Sequence, residues 1–151
     1  MHALLIAVVT TVTATNPQLS LQAIAEPEVV APNSDVTITF TVTPGRRMHL
    51  YAPGAKGYQV IAVKLDAQPG LKPRDVVYPP SETYYFEPLD EHVPVYMKPF
   101  MLKQVVAVSA SALKGKQTLT LSGKLEYQAC DDRVCFKPNA IPFTFELNVK
   151  Q

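Results

Sequence analysis

The segment Asp35-Val36-Thr37-Ile38-Thr39-Phe40-Thr41-Val42-Thr43 alternates without a break. Val36, Ile38, Phe40 and Val42 point one way, and Asp35 with four threonines points the other. A period of two marks a strand with one buried face, and the β-branched content suits a pleated backbone. The same pattern recurs in Leu19–Ala25, with Leu19, Leu21 and Ala23 aligned. It recurs in Thr118–Tyr127, with Leu119, Leu121, Gly123, Leu125 and Tyr127 on one side, and in Phe143–Val149. Met48–Tyr51, Gln59–Leu65 and Val76–Tyr78 predict short strands between Pro/Gly breaks, and Phe100–Ala110 a less regular one. Only Ser109–Lys116 could form a turn of helix. About seven to nine short strands without crossover helices predict an all-β, antiparallel sandwich rather than a parallel sheet.

Composition narrows the function. With 151 residues, one domain is expected, large enough to bury roughly 68–70% of its unfolded surface. Fourteen Lys+Arg against thirteen Asp+Glu leave a net charge of +1 with no like-charge block. That argues against a nucleic-acid-binding arm or a polybasic membrane patch. A hydrophobic content of 47% excludes a disordered chain. At the start, Ala3–Val9 is wholly apolar, well short of the ~20 residues a spanning helix needs. It fits a secretory h-region followed by the small-residue pattern Val12-Thr13-Ala14. A leader over residues 1–14 and one domain over 15–151 are therefore expected. An N-terminal strand, or a boundary inside a longer precursor, is the alternative.

The stretch from Tyr78 to Pro99 inclusive holds five prolines, four tyrosines and Phe86, with little alternation before Val93. This predicts a long aromatic loop packed on something, since such loops in compact domains are usually functional or disordered. His92 sits in its acidic Asp90-Glu91-His92 run, as a surface residue.

The two cysteines stand in Tyr127-Gln128-Ala129-Cys130-Asp131-Asp132-Arg133-Val134-Cys135-Phe136-Lys137-Pro138, directly after a strong strand. If Cys130 ends that strand and Cys135 begins the return, the sulfurs can meet across a hairpin mouth. Three readings compete. A structural disulfide closing so short a loop stabilises by only roughly 2 kcal/mol. A metal site would need four ligands, and only His49 and His92 could join the cysteines, neither at motif spacing. The third reading is redox chemistry. Asp131 and Asp132 disfavour a thiolate at Cys130, whereas Arg133 and Lys137 flank Cys135 at two residues and favour one. A charge near 4 Å is worth about 1 kcal/mol in water and about 4 at a partly buried site. With about 1.4 kcal/mol to a pKa unit, the asymmetry can reach a unit or more. Because the thiolate is the attacking species, Cys135 is then the exchanging sulfur. On the residues alone, these charges could equally be solvated turn formers, Asp131 and Asp132 above all.

The sequence resembles the N-terminal domain family of the thiol:disulfide interchange protein DsbD. The resemblance rests on Tyr127-Gln128-Ala129-Cys130 with Cys135 and Pro138, on Met48-His49-Leu50-Tyr51 after Pro44-Gly45, and on Tyr78-Pro79-Pro80 through Val93-Pro94-Val95-Tyr96. It covers about Leu19 to Lys150. It implies an immunoglobulin-like sandwich in the bacterial periplasm, a thiol-disulfide oxidoreductase (protein-disulfide reductase) component that needs no metal and no cofactor. In this family electrons arrive from a thioredoxin-like donor and leave to oxidised periplasmic partners, disulfide isomerases or cytochrome c maturation proteins. Cys135 is implied to form the mixed disulfides and Cys130 to resolve them. An aromatic cap loop shields the pair, and its equivalent here is Tyr84-Tyr85-Phe86-Glu87, with Phe86 the expected shielding ring. His49 and Tyr51 fall where family tyrosines flank the disulfide. Tyr127, Arg133 and Phe136 complete the expected neighbourhood. At His49 an aromatic hydroxyl is expected, and an imidazole there adds a pH-sensitive group. Full-length members continue into a membrane electron-transfer domain and a thioredoxin-like domain. The resemblance thus implies either a segment of a longer protein or a stand-alone relay served by a separate membrane partner. The competing reading is a non-catalytic immunoglobulin-like binding module whose Cys130–Cys135 bond only fixes a loop.

Overall fold

The computed structural model describes residues 10–151. Its strands, in chain order, are β1 (Thr10–Thr15), β2 (Leu19–Glu26), β3 (Val29–Val30), β4 (Ser34–Pro44), β5 (His49–Tyr51), β6 (Ala62–Leu65) and β7 (Leu71–Pro73). They continue with β8 (Glu82–Phe86), β9 (Glu91–Tyr96), β10 (Phe100–Val108), β11 (Thr118–Tyr127), β12 (Ala129–Cys130) and β13 (Asn139–Val149). A single helical turn, α1 (Ala110–Leu113), falls inside the segment expected to allow one. Residues 1–9 of the expected leader lie outside the described residues. Thr10–Ala14 belong to β1, which pairs antiparallel with β2 from Thr10↔Ala25 to Thr15↔Ser20.

Two sheets face each other, one ordered β1-β2-β4-β10-β7 and the other β3-β13-β11-β6. The alternating segments become the facing surfaces. Val36, Ile38, Phe40 and Val42 are buried from the first sheet, and Leu119, Leu121, Leu125, Phe143, Phe145 and Leu147 from the second. Phe40 meets Phe143 edge to face across the sandwich at 5.1 Å. Gly123 pairs with Phe143, and a side chain there would run into the Phe143 ring and the Lys64 carbonyl. That close approach is why a glycine interrupts an otherwise leucine-rich face.

Some short strands differ from expectation. Gln59–Leu65 narrows to β6, and Val76–Tyr78 yields only a bridge between Val77 and Lys103. The larger correction concerns Tyr78–Pro99. Most of this stretch is a β-hairpin rather than an irregular loop, with β8 paired to β9 from Glu82↔Val95 to Phe86↔Glu91. Two of its prolines lie within this hairpin. Pro88 lies in the first turn of a short 3-10 segment (Glu87–Leu89), and the Pro94 carbonyl accepts from the Ala52 amide at 3.0 Å. Asp90 takes the left-handed conformation that closes the tip, its N–H donating to the Glu87 carbonyl.

This hairpin forms most of a third sheet, ordered β12-β5-β9-β8. Period-two geometry gives that sheet two unlike faces. Leu50, Tyr96 and Ala129 join the main core. Tyr51, Val93, Val95 and Cys130 form a second buried cluster, with Ala55, Tyr58 and Tyr84 packed against it. The site is built on that second face.

Candidate functional site

Cys130 ends β12 directly opposite His49 of β5, and Cys135 returns to pair with Cys130 as an antiparallel bridge. The two sulfurs are bonded, with Cα atoms 4.1 Å apart. The turn between them is set by Asp131, whose carboxylate accepts from the Arg133 and Val134 amides at 2.8 and 2.7 Å. Those two N–H bonds hold its pKa below the ordinary carboxylate range. The Asp131 amide also donates to the Val134 carbonyl, and the Phe136 amide to the Ala129 carbonyl. Gln128 braces the hairpin from behind. Its side chain donates to the Phe136 carbonyl at 3.1 Å and accepts from the Gln59 amide at 2.9 Å.

The two cysteines differ in exposure. Cys130 is 1% exposed, whereas Cys135 is an exposed residue at the hairpin's outer side. A disulfide carries no proton, so the Tyr51 hydroxyl must be the donor where it reaches Cys130 Sγ at 3.0 Å and Cys135 Sγ at 3.5 Å. Burial, followed by the nearby Tyr58 and Glu91, pushes the Tyr51 phenol well above its ordinary pKa. It therefore stays an O–H donor across the physiological range.

His49 is buried to 3% exposure, its ring edge-on to Tyr51 at 5.6 Å and against Tyr84 at 4.3 Å. Desolvation lowers its pKa, partly offset by the carboxylates of Asp132 and Asp131. Desolvation, followed by the same two carboxylates, raises the pKa of Tyr84.

The expected cap residues separate by strand face. Tyr84 packs into the cysteine's cluster, with Phe86 beyond it at 6.5 Å. The ring in that cluster is thus Tyr84 rather than the anticipated Phe86. Tyr85 faces outward, stacked on His92 at 4.7 Å and donating to the Asp90 carboxylate at 2.8 Å. Glu87 is exposed at the start of the 3-10 segment. Arg133 is exposed on the turn, and Phe136 contributes its backbone to the hairpin.

Tyr127 departs from expectation. It is fully buried in the main core, and its hydroxyl accepts from Asn16 at 3.0 Å and Asn139 at 3.3 Å. It ends β11 in one sheet, and by Ala129 the chain has crossed to another. Nearness in sequence therefore does not bring its ring to the sulfurs. Sequence reasoning also missed two partners. Tyr58 stacks on Tyr51, ring centroids 4.0 Å apart and 8° from parallel, and its hydroxyl donates to Glu91 Oε2 at 2.8 Å.

No group of three or more metal-ligating side chains comes together among the described residues. Grooves of about 620 and 490 Å³ beside Leu113 and Leu71 touch none of the residues around the sulfurs. The disulfide itself sits in a hairpin whose outer residues, Asp132 to Cys135, are exposed.

Sandwich and hairpin together define a β-domain that presents a half-buried disulfide beside an aromatic cluster. Residues 16–146 match the family described as thiol:disulfide interchange protein DsbD, N-terminal, and the chain belongs to that family. Among solved structures it is similar to the N-terminal periplasmic domain of ScsB from Proteus mirabilis, with a TM-score of 0.64 and 16% identity. That match covers 92% of this chain and 51% of the ScsB chain, so this chain spans about half the length of that relative. It is also similar to the reduced DsbD N-terminal domain of Neisseria meningitidis, with a TM-score of 0.50 and 18% identity over 94% of this chain and 86% of that one. No curated protein sequence matches. The fold is the immunoglobulin-like antiparallel sandwich that the strand pattern and the resemblance led one to expect. No helix among the described residues is long and apolar enough to cross a membrane.

Proposed function

We propose that this domain is a thiol–disulfide exchange module of the bacterial periplasm, passing electrons from a thioredoxin-like donor to oxidised partner proteins through Cys130 and Cys135. The observation that carries this reading is the asymmetry of the bonded pair. One sulfur belongs to an exposed residue, and the other is buried with a protonated phenol 3.0 Å away.

The donor's thiolate attacks Cys135 Sγ, the Cys130–Cys135 bond breaks, and its electron pair leaves on Cys130 Sγ. The Tyr51 hydroxyl donates to that departing sulfur, offsetting the repulsion from Asp131 and Asp132. The donor's second thiolate then attacks the donor sulfur of the mixed disulfide, releasing Cys135 as a thiolate and leaving the donor oxidised. In the second half, the Cys135 thiolate attacks the client disulfide. The Cys130 thiolate then attacks Cys135 Sγ, restoring the intramolecular bond and releasing the client's dithiol. Two electrons have moved, and no cofactor takes part.

Tyr84 packs against the buried cluster that holds Cys130, with Phe86 beyond it, and as a cap it would limit reaction with stray oxidants. Membership of the DsbD N-terminal family supports the exchange chemistry, and the periplasmic location of the ScsB domain, with the apolar run Ala3–Val9, supports export. Candidate clients are a disulfide isomerase or a cytochrome c maturation protein, and a separate membrane protein would recharge the donor.

A redox titration separates this from an inert staple. A relay equilibrates reversibly with a thioredoxin-like dithiol, whereas structural disulfides typically lie below about −300 mV and resist it.

A further inference from the structure

We propose that Tyr58 and Glu91 are positioning residues for this exchange, acting through Tyr51: they clamp its phenol so that the hydroxyl stays on the Cys130 sulfur as that sulfur takes the electron pair. The proposal rests on the reading of the site given above.

Three links, each with its own geometry, join Glu91 to the sulfurs. The Glu91 carboxylate accepts from the Tyr58 hydroxyl at 2.8 Å. The Tyr58 ring lies flat on Tyr51, centroids 4.0 Å apart and 8° from parallel. The Tyr51 hydroxyl then meets Cys130 Sγ at 3.0 Å. His49 closes the other side of Tyr51, edge-on at 5.6 Å. A phenol bracketed in this way cannot swing about its Cα–Cβ bond without breaking a ring contact.

The residues come from separate parts of the chain. Tyr51 is on β5, Tyr58 is in the loop leading to β6, and Glu91 opens β9 at the base of the hairpin tip. The loop is itself fixed at both ends, by Ala52 N–H to the Pro94 carbonyl and Ile61 N–H to the Tyr51 carbonyl. Near Tyr58 it is also fixed by the Gln59 amide to Gln128, the same side chain that braces the cysteine hairpin. A packing role alone would not require a part-buried carboxylate to hold the stacking tyrosine by its hydroxyl.

The chemistry explains why such a clamp is useful. When the disulfide opens, negative charge appears on a sulfur that is 1% exposed and flanked in sequence by Asp131 and Asp132. Among the described residues, Tyr51 is the side-chain hydroxyl bonded to that sulfur. A donor placed beforehand stabilises developing charge without reorganising, and misplacement by about 1 Å forfeits most of that benefit. The negative charge of Glu91 also disfavours ionisation of both phenols, keeping Tyr51 a donor.

The test is a double-mutant cycle read as the equilibrium constant for reduction by a dithiol such as dithiothreitol. Tyr58→Leu removes the stacking ring and is expected to lower that constant about tenfold, equivalent to a potential about 30 mV more negative. In a Tyr51→Phe background, where no hydroxyl remains to be positioned, the same change should shift it less than twofold. Tyr58→Phe keeps the ring but releases Glu91, and should give an intermediate shift that also vanishes in Tyr51→Phe. It carries the test if the leucine variant does not fold. Glu91→Gln, which keeps an acceptor, should stay near the unmodified value, and Glu91→Leu should behave like Tyr58→Phe.

Equal shifts in the two backgrounds, or none with either Tyr58 variant, would overturn the clamp while leaving the exchange reading intact. An unmodified protein that never equilibrates with the dithiol would instead defeat the exchange reading, and the clamp with it.

Discussion

The Tyr51 hydroxyl donates to Cys130 Sγ across 3.0 Å, inside a cluster where the sulfur is 1% exposed and the tyrosine 3%. A disulfide sulfur is a weak acceptor, whereas a thiolate is a strong one. The contact therefore gains strength when the bond opens, and it favours the reduced protein over the oxidised one.

Tyr51→Phe tests that difference directly. A hydrogen bond to a charged group is worth about 1.5–3 kcal/mol. With about 1.4 kcal/mol corresponding to about 30 mV for a two-electron couple, the potential should fall by about 30–60 mV. The thermal stability of the oxidised protein should change little. A redox titration beside a melting curve reads both.

His49 gives the fold a pH dependence whose sign follows from its burial. Desolvation lowers its pKa in the folded chain from the ordinary 6.5, with Asp132 and Asp131 opposing. The unfolded chain thus binds the proton more readily, and stability is full above pH 6.5. It is lost as pH falls through the folded-state value, and the loss levels off below it. Denaturant unfolding of the oxidised protein should show this decline, and His49→Gln should flatten it. An unchanged profile in His49→Gln would assign the titration to other groups.

Neighbouring hairpin residues should behave differently, because successive strand side chains point to opposite faces. Tyr84 packs in the cysteine's cluster, while Tyr85 stacks on His92 outside it. Tyr84→Ala should speed reduction by a small dithiol several-fold, and Tyr85→Ala should leave the rate unchanged. Stopped-flow kinetics with dithiothreitol separates them.

Tyr127→Phe provides the converse control. Its hydroxyl accepts from Asn16 and Asn139 in the main core, away from the sulfurs. Losing that acceptor should cost about 1 kcal/mol, or roughly 2–4 °C in Tm for a domain of this size, with no change in potential.

The sandwich was legible because one-sided burial writes a period of two into the chain. Val36 to Val42, Leu119 to Tyr127 and Phe143 to Val149 are buried at alternate positions as the sequence alone predicts. The meeting of the two cysteines was legible only as a possibility: they do lie opposite one another, but Cys130 ends β12 of the third sheet rather than the strong strand β11, which stops at Tyr127. The hairpin carrying Tyr84 was not legible. Tyr84 and Phe86 face the site while Tyr85 faces solvent, so aromatics stand on both sides and no polar contrast marks the faces. Pro88, in a stretch read as a loop, occupies the first turn of the 3-10 tip, and Pro94 lies within β9 itself. Tyr127 was misplaced because the chain changes sheets between it and Ala129, an event with no signature in residue type. The pairing of Tyr58 with Glu91 spans 33 residues and depends on where a loop and a hairpin meet in three dimensions.

The central claim concerns which sulfur a partner attacks, and trapping measures it. Incubate Cys130→Ser and Cys135→Ser separately with a thioredoxin-like protein that lacks its resolving cysteine and carries its attacking cysteine as a mixed disulfide with an aromatic thiol, and map the protein–protein mixed disulfides by mass spectrometry. Exposure and local charge predict a stable adduct at Cys135 in the first variant and little or none in the second. An adduct forming chiefly at Cys130 of the Cys135→Ser protein, or none in either, would contradict the account.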